Sequence, residues 1–292
     1  MPELPEVTTI SNQLKKELTG KVISSVSVNV GYKVHPSNEE FLKWVTRSTI
    51  EDVGRIAKVI VIIVGKSDAR RYISIHLAMT GRLRFWRSLP NQESPQTGDS
   101  LVEMRFEGGT SLVFTDVRRF GYVKLLNEGE LKVLKAKYGP DPLSVDLKSF
   151  SKNIRSRRTN IKNALLDQSL ISGIGNIYAN DALFMAKIHP KTSTSSLTIQ
   201  QFNNLLSSIR QILYEGIEHR GSTLGDLMYT DIYGFYGEHQ NYFRIYGKSF
   251  CSICKSKLEF MVLNSRGTYF CPVCQKEASP DSGESLYRSL LI

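Results

Sequence analysis

Apolar residues near the start of the chain recur at helical spacing. Val7, Ile10, Leu14 and Leu18 lie three or four residues apart, which predicts a helix after Pro5 with one apolar face. Prolines at its start suit a helix N-terminus, where the missing N–H costs nothing. The period then shortens. Val22 to Val30, Lys58 to Val64, Tyr72 to Ala78, Leu101 to Glu107, Ser111 to Asp116 and Tyr122 to Leu126 read as strands, with Gly108-Gly109 as a hairpin turn between two of them. Many short strands at this spacing predict a sandwich or a barrel. Around Gly139-Pro140-Asp141-Pro142 the texture changes. Ile161 to Leu166, Ala182 to Ile188 and Ile199 to Ile217 carry helical periodicity, with Ser172-Gly173-Ile174-Gly175-Asn176 as a tight turn between the first two.

Composition narrows the class without fixing it. With 292 residues, 41% apolar and 23% charged, the chain has room for two or three domains with real cores. Its longest aliphatic run, Val59 to Val64, is far shorter than the roughly 20 residues that cross a bilayer, so no membrane span is expected. The first residues carry acids and two prolines in place of a basic-then-apolar secretory pattern, which predicts a cytosolic protein. A net charge of +10 favours a polyanionic partner. Part of it is concentrated in Lys148, Lys152, Arg155, Arg157, Arg158 and Lys162, a run without an acid. Taken alone, that run is as well read as a solvated linker as a phosphate-binding surface.

All four cysteines fall into two Cys-x-x-Cys pairs, Cys251 with Cys254 and Cys271 with Cys274, sixteen residues apart. That spacing predicts four thiolates around one zinc ion. Two disulfides would fit poorly with a chain lacking a secretion signal. The module has little apolar content of its own, so the metal is expected to supply its folding energy.

Several motifs, in this order, resemble the formamidopyrimidine-DNA glycosylase family of bacterial repair enzymes, which remove 8-oxoguanine and ring-opened purines. They are Met1 to Val7 (MPELPEV), His76 to Arg82 (HLAMTGR), Asp116 to Gly121 (DVRRFG) and Gly139 to Ser144 (GPDPLS). They continue with Asp167-Gln168 leading into Gly173 to Ala179 (GIGNIYA), Ile188 to Pro190 (IHP) and Cys271 to Lys276 (CPVCQK). The sister branch resembling endonuclease VIII usually has glycine where this chain has Leu4, so the purine-lesion branch is favoured. The resemblance implies an α+β, multidomain fold. It would have an N-terminal β-sandwich with flanking helices over 1–135, a hinge over 136–155, a helix-two-turn-helix domain with a lesion loop over 156–245, and a zinc β-hairpin over 246–276. Residues 277–292 are expected to be a disordered tail, the alternative being a short partner-binding segment at Leu286 to Ile292.

The chemistry of the N-terminus can be argued on its own. Removal of Met1 leaves Pro2 as a secondary amine, and an α-amino group, with a pKa near 8, is far more often neutral at pH 7 than a lysine. A neutral amine can attack a sugar C1′ and form an iminium. Glu3 and Glu6 could simply offset the helix dipole. The resemblance makes Glu3 the general acid/base and Glu6 the acid that orients the N-terminus. Lys58, by pattern a strand-edge charge, is by resemblance the proton donor for β-elimination and a phosphate contact. Arg266 matches the arginine of δ-elimination and phosphate gripping. Met79 and Phe120, core residues by pattern, match with Arg118 the three side chains that fill the void left by a flipped base. Arg157 and Asn176 match DNA-contact positions, Lys162 is expected to add charge to the DNA-binding surface, and Ser222 and Thr223, which open the lesion loop, are expected DNA contacts as well. The implied partner is damaged double-stranded DNA, for which a monomer suffices, with one structural zinc and no organic cofactor.

Two departures from the family pattern matter, the first for a DNA contact that is expected to be absent and the second for lesion preference. Where relatives often carry a histidine before the strand at Leu101, this chain has Gln96-Thr97-Gly98-Asp99-Ser100. The stretch Ser222 to Tyr242 is rich in tyrosine and longer than usual. Two other readings therefore stay open: the same chemistry on oxidised pyrimidine or hydantoin lesions, and a non-catalytic zinc-ribbon nucleic-acid binder.

Overall fold

In a computed structural model, which describes residues 1–87, 100–225 and 227–277, helix α1 (Leu4–Leu18) buries Leu4, Val7, Ile10, Leu14 and Leu18. This is the face its spacing predicts. Eight strands follow: β1 (Ile23–Val28), β2 (Thr49–Ile56), β3 (Val59–Lys66), β4 (Ala69–His76), β5 (Gly81–Trp86), β6 (Ser100–Phe106), β7 (Ser111–Asp116) and β8 (Tyr122–Leu126). Helix α2 (Asn38–Val45) lies between β1 and β2, and α3 (Glu128–Ala136) follows β8. The strands form two antiparallel four-stranded sheets, β2-β3-β4-β8 and β1-β6-β7-β5.

One core joins the sheets. Ile60, Ile62, Val64, Ile73 and Ile75 of the first share one buried cluster with Leu83, Met104, Phe106, Leu112 and Phe114 of the second, and the apolar face of α1 joins it against β2 and β3. Val59 and Val61 point the other way, toward Leu131 of α3. Both faces of β3 are thus covered, which explains its unbroken aliphatic run. The expected β-sandwich with flanking helices is therefore present. Strands β2 and β5 and helices α2, α3 and α4 are additional to the elements read from the sequence.

The chain forms two compact units. The first is Met1–Tyr138 with Tyr214–Tyr242, and the second is Gly139–Leu213 with the chain from Phe243 onward. The second holds α4 (Leu147–Arg155), α5 (Ile161–Leu166), α6 (Asn176–Met185), most of α7 (Ile199–Glu218) and a ribbon of β9 (Glu259–Leu263) and β10 (Arg266–Phe270). Helix α5 matches its sequence-predicted range, and α7 runs one residue further. The two-residue turn of the ribbon, Asn264-Ser265, has positive φ at both positions, 46° and 58°, as a tight hairpin requires. No helix among the described residues is long and apolar enough to cross a membrane. The tail beyond Glu277 and the stretch Gln96 to Asp99 lie outside the described residues.

Candidate active site and nucleic-acid contacts

The N-terminus is held by a reciprocal cap. Glu3 is the N-cap of α1 and Glu6 its third residue; each side chain accepts from the other's backbone, with Glu3 N donating to Glu6 Oε2 at 2.7 Å. The second oxygen of Glu6 accepts from Ser222 N, also at 2.7 Å. Glu6 is 2% exposed and Glu3 4%. Burial of the Glu6 carboxylate is tolerable because its two oxygens meet the Glu3 and Ser222 N–H groups. Gly221 makes this approach possible: a Cβ there would lie 2.7 Å from Glu6 Cγ, and its φ is +78°. Pro2 is buried while Met1 is half exposed.

Lys58 sits in the β2–β3 turn and is 8% exposed. That turn is tied to α1 by Arg55, whose Nε donates to Thr8 Oγ1 at 2.7 Å and whose Nη1 donates to Ala57 O at 3.3 Å. His76, paired with Val59 across β3 and β4, stacks on Tyr122 at 5.5 Å. Burial, and then the neighbouring Lys58 ammonium, push its imidazole below the ordinary value.

Met79, Arg118 and Phe120 come together although 39 and 41 positions separate the outer two from Met79. Arg118 Nη1 lies 3.4 Å from Met79 Sδ and its guanidinium 4.6 Å from the Phe120 ring centroid. Met79 is 45% and Phe120 60% exposed, so neither is a core residue. The loop beneath is fixed by Asp116, whose Oδ1 accepts from the Thr80 hydroxyl and Arg118 N and whose Oδ2 accepts from Gly121 N.

In the second unit, Arg157 and Arg266 line one cavity of about 340 Å³ with Asn163, Asp167 and Asn264. Arg157 reaches Asp167 at 2.8 Å and remains exposed. Burial raises the Asp167 carboxyl, but the Ser169 hydroxyl and N–H, with Arg157, outweigh it and hold the group below its usual value. Asn176 opens α6 and donates to Gly267 O at 3.1 Å. The turn before it is shaped by Gln168, which accepts from Gly173 N and donates to Ile174 O, both at 2.8 Å.

The four cysteine sulfurs lie within 4.8 Å of one another. Cys254 N and Cys274 N point at the sulfurs of Cys251 and Cys271, at 3.5 and 3.4 Å. Such N–H contacts stabilise thiolates, and four thiolates suit one zinc ion. Gln275 secures the module, accepting from Cys271 N and donating to Ile188 O, both at 2.9 Å.

Known proteins agree with this geometry. Residues 1–123 match the formamidopyrimidine-DNA glycosylase N-terminal domain and residues 138–227 the formamidopyrimidine-DNA glycosylase H2TH domain. The chain is 38% identical over 280 residues to formamidopyrimidine-DNA glycosylase of Chloroflexus aurantiacus, covering 94% of this chain and 98% of that one. It is 35% identical over 284 residues to the Lactococcus lactis subsp. cremoris enzyme, covering 95% and 100%. Lactococcus lactis Fpg, solved in complex with DNA containing an abasic site, superposes with a TM-score of 0.83 at 33% identity, over 94% of this chain and all of that one. The chain belongs to the formamidopyrimidine-DNA glycosylase family.

Within this glycosylase family member, one expected role needs correction. Lys162 is 0% exposed and offers no surface charge to DNA. Its Nζ donates to Thr268 Oγ1 at 2.7 Å, Gly267 O at 2.9 Å and Asn180 Oδ1 at 3.3 Å, so it works as a strut between α5, α6 and β10. A lysine ammonium has three donors, and burial is tolerable when each finds an oxygen. Ser222 and Thr223 are each 6% exposed. What Ser222 gives Glu6 is its backbone N–H, and the Thr223 hydroxyl donates to Tyr229 O while accepting from Gly237 N, both at 2.9 Å. His76 and Arg55 also border Lys58 in the fold. The available signal was local: Arg55 three residues before Lys58, and His76 closing the alternating strand Tyr72-Ile73-Ser74-Ile75-His76.

Proposed function

We propose that this chain is a bifunctional DNA glycosylase and AP lyase that excises 8-oxoguanine and formamidopyrimidines from damaged duplex DNA with Pro2 as nucleophile. The observation that carries this reading is the Glu3–Glu6–Ser222 lock, which fixes a buried Pro2 beside a buried carboxyl group. With Met1 removed, the neutral Pro2 amine attacks C1′ and the C1′–N bond to the base breaks. The base leaves with a proton and the amine becomes an iminium. Glu3 protonates the sugar ring oxygen as the ring opens. The iminium acidifies C2′–H; loss of that proton expels the 3′ phosphate, and a second elimination expels the 5′ phosphate. Lys58 serves as proton donor in the first elimination, with Arg266 gripping phosphate for the second.

A flipped base leaves a gap that Met79, Arg118 and Phe120 are suited to fill, as a flexible thioether, a planar cation and an aromatic wedge. Arg157 and Asn176 supply phosphate contacts, and the zinc ion holds the hairpin that carries Arg266. The reading places the protein as a monomer in the bacterial cytosol. Within it, residues 1–135 form the catalytic domain, 136–155 the hinge, 156–245 the helix-two-turn-helix domain with the lesion loop, and 246–276 the zinc hairpin.

An excision panel tests the substrate. Single lesions in otherwise identical duplexes should be cut fastest at 8-oxoguanine or formamidopyrimidine, with Pro2→Gly cutting none. Preference for an oxidised pyrimidine or a hydantoin would overturn the substrate class while keeping the chemistry.

A further inference from the structure

The outward face of β5, rimmed by part of the segment assigned above as the lesion loop, carries a basic, aromatic groove that contains neither Pro2, Glu3 nor Glu6. Leu83 and Phe85 are buried in the core, so alternation turns Arg82, Arg84 and Trp86 to the opposite face. The tyrosine-rich segment after α7 forms the rim of the groove and is fixed in place. Phe85 N donates to Ile232 O at 2.8 Å, Gln13 Nε2 to Asp231 Oδ2 at 2.9 Å and the Tyr233 hydroxyl to Glu17 Oε1 at 2.7 Å. Arg82 donates to the carbonyls of Leu227 and Met228 at 2.8 and 3.0 Å. Strand and rim enclose a cavity of about 640 Å³ whose lining includes Arg82, Arg84, Trp86, Arg119 and Tyr236.

Among the described residues, the arginines of this cavity have no compensating carboxylate. None of the three arginines makes an ion pair with a described carboxylate: Arg82 meets neutral carbonyls, and Arg119 reaches Gly31 O at 3.5 Å. The Arg84 guanidinium lies 5.6 Å from the Trp86 ring centroid, against Gly234, where a Cβ would fall 1.7 Å from its Nη1. Asp116, the acid of the lining, already accepts from Thr80, Arg118 and Gly121. Tyr236 is 50% exposed and offers a free ring. Three guanidiniums with no ion pair among the described residues, beside two aromatic rings, suit a polyanion that carries a flat plate on every unit, which is unpaired nucleic acid. Arg119 also shares its loop with Arg118 and Phe120, so the groove begins where the void-filling side chains end.

We infer that this groove binds a short unpaired stretch of DNA, with phosphates on Arg82, Arg84 and Arg119 and a base against Trp86 and Tyr236. The inference goes beyond the glycosylase reading, because it needs neither a lesion nor Pro2. The chain has two tryptophans, Trp44 and Trp86, so Trp44→Phe leaves Trp86 as the only indole reporter. Titration of that full-length variant with octathymidylate should quench Trp86 emission. Adding Tyr236→Ala, which removes an exposed ring, should weaken the oligonucleotide about tenfold. Adding Arg84→Gln should lower the slope of log affinity against log salt by about 0.7. Absence of quenching, or an affinity that neither change alters, overturns the proposal. Borohydride trapping of the Trp44→Phe protein on an abasic duplex separates the two readings. Quenching without a Pro2 adduct would contradict the Pro2 chemistry and leave the groove standing, whereas an adduct without quenching would remove the groove alone.

Discussion

The start of α1 and the tip of the zinc hairpin both carry residues proposed for the chemistry, but they are held by opposite means. At α1 the charges are buried, and backbone N–H groups lock them over a core shared by two four-stranded sheets. At the hairpin, Arg266 is exposed on a two-stranded ribbon, and the buried cluster below it is Phe184, Ile245, Leu258, Cys251 and Cys271. A ribbon of two strands is marginal in water. Its order therefore depends on ligation by four cysteines and on the contacts of Gln275 and Lys162. One site is stabilised by burial and the other by metal, so they should fail under different perturbations.

Zinc removal should separate them most sharply. A strong chelator or Cys271→Ser should melt the hairpin and lower duplex DNA affinity about 10²-fold, through lost phosphate contacts. Both tryptophans lie in the first unit, so near-ultraviolet circular dichroism should report an intact sandwich in the same sample. Joint melting of both regions would erase the contrast. The converse perturbation is Glu6→Ala, which removes the acceptor of two buried N–H groups. It should cost about 1–3 kcal/mol in urea unfolding and a larger share of single-turnover excision, with zinc content unchanged. Unchanged excision would mean that Glu6 does not orient the N-terminus.

Lys162→Met sharpens the comparison at the hairpin's base. Loss of the ammonium removes the donor that Thr268 Oγ1 accepts from, while Gly267 O keeps the Asn176 amide, and should destabilise the second unit by about 1–3 kcal/mol. Because the amine is buried, the salt dependence of DNA binding should keep its slope. A slope reduced by about one would return Lys162 to the phosphate contacts. The smallest effect is a pH dependence. The imidazole of His76 is depressed in the fold, so the unfolded chain takes up a proton more readily once pH falls below about 6.5. Stability should then decline from pH 6.5 toward the lower folded value and be flat above it. His76→Gln should remove that part of the slope in denaturant titrations.

Legibility of the molecule in its sequence followed the range of each signal. Local signals were enough for α1, for α5 and for the cysteine spacing, because periodicity, turn residues and ligand geometry act within a few residues. The strand β2 carries Glu51 and Asp52 and was hidden by them, although Ile50 and Val53 point into the core. In β5 the alternation of Arg82 and Arg84 with Leu83 and Phe85 was legible and was passed over. Roles that depend on distant partners were harder. Nothing near Lys162 in the chain shows that Thr268, more than a hundred residues on, will hold its ammonium. Likewise, Glu6 meets Ser222 only through the fold. Motif resemblance pointed to Met79, Arg118 and Phe120, and the fold adds how Asp116 shapes the loop that carries two of them.

The central claim is that Pro2, and no lysine, attacks the sugar. It is tested most directly by incubating the full-length protein with duplex DNA carrying 8-oxoguanine opposite cytosine, reducing with borohydride, and mapping the adduct by mass spectrometry. The account predicts one covalent adduct on Pro2, absent in Pro2→Gly and in protein that retains Met1. An adduct on Lys58 or another lysine, or none on either this duplex or an abasic one with zinc and DNA binding intact, would contradict it.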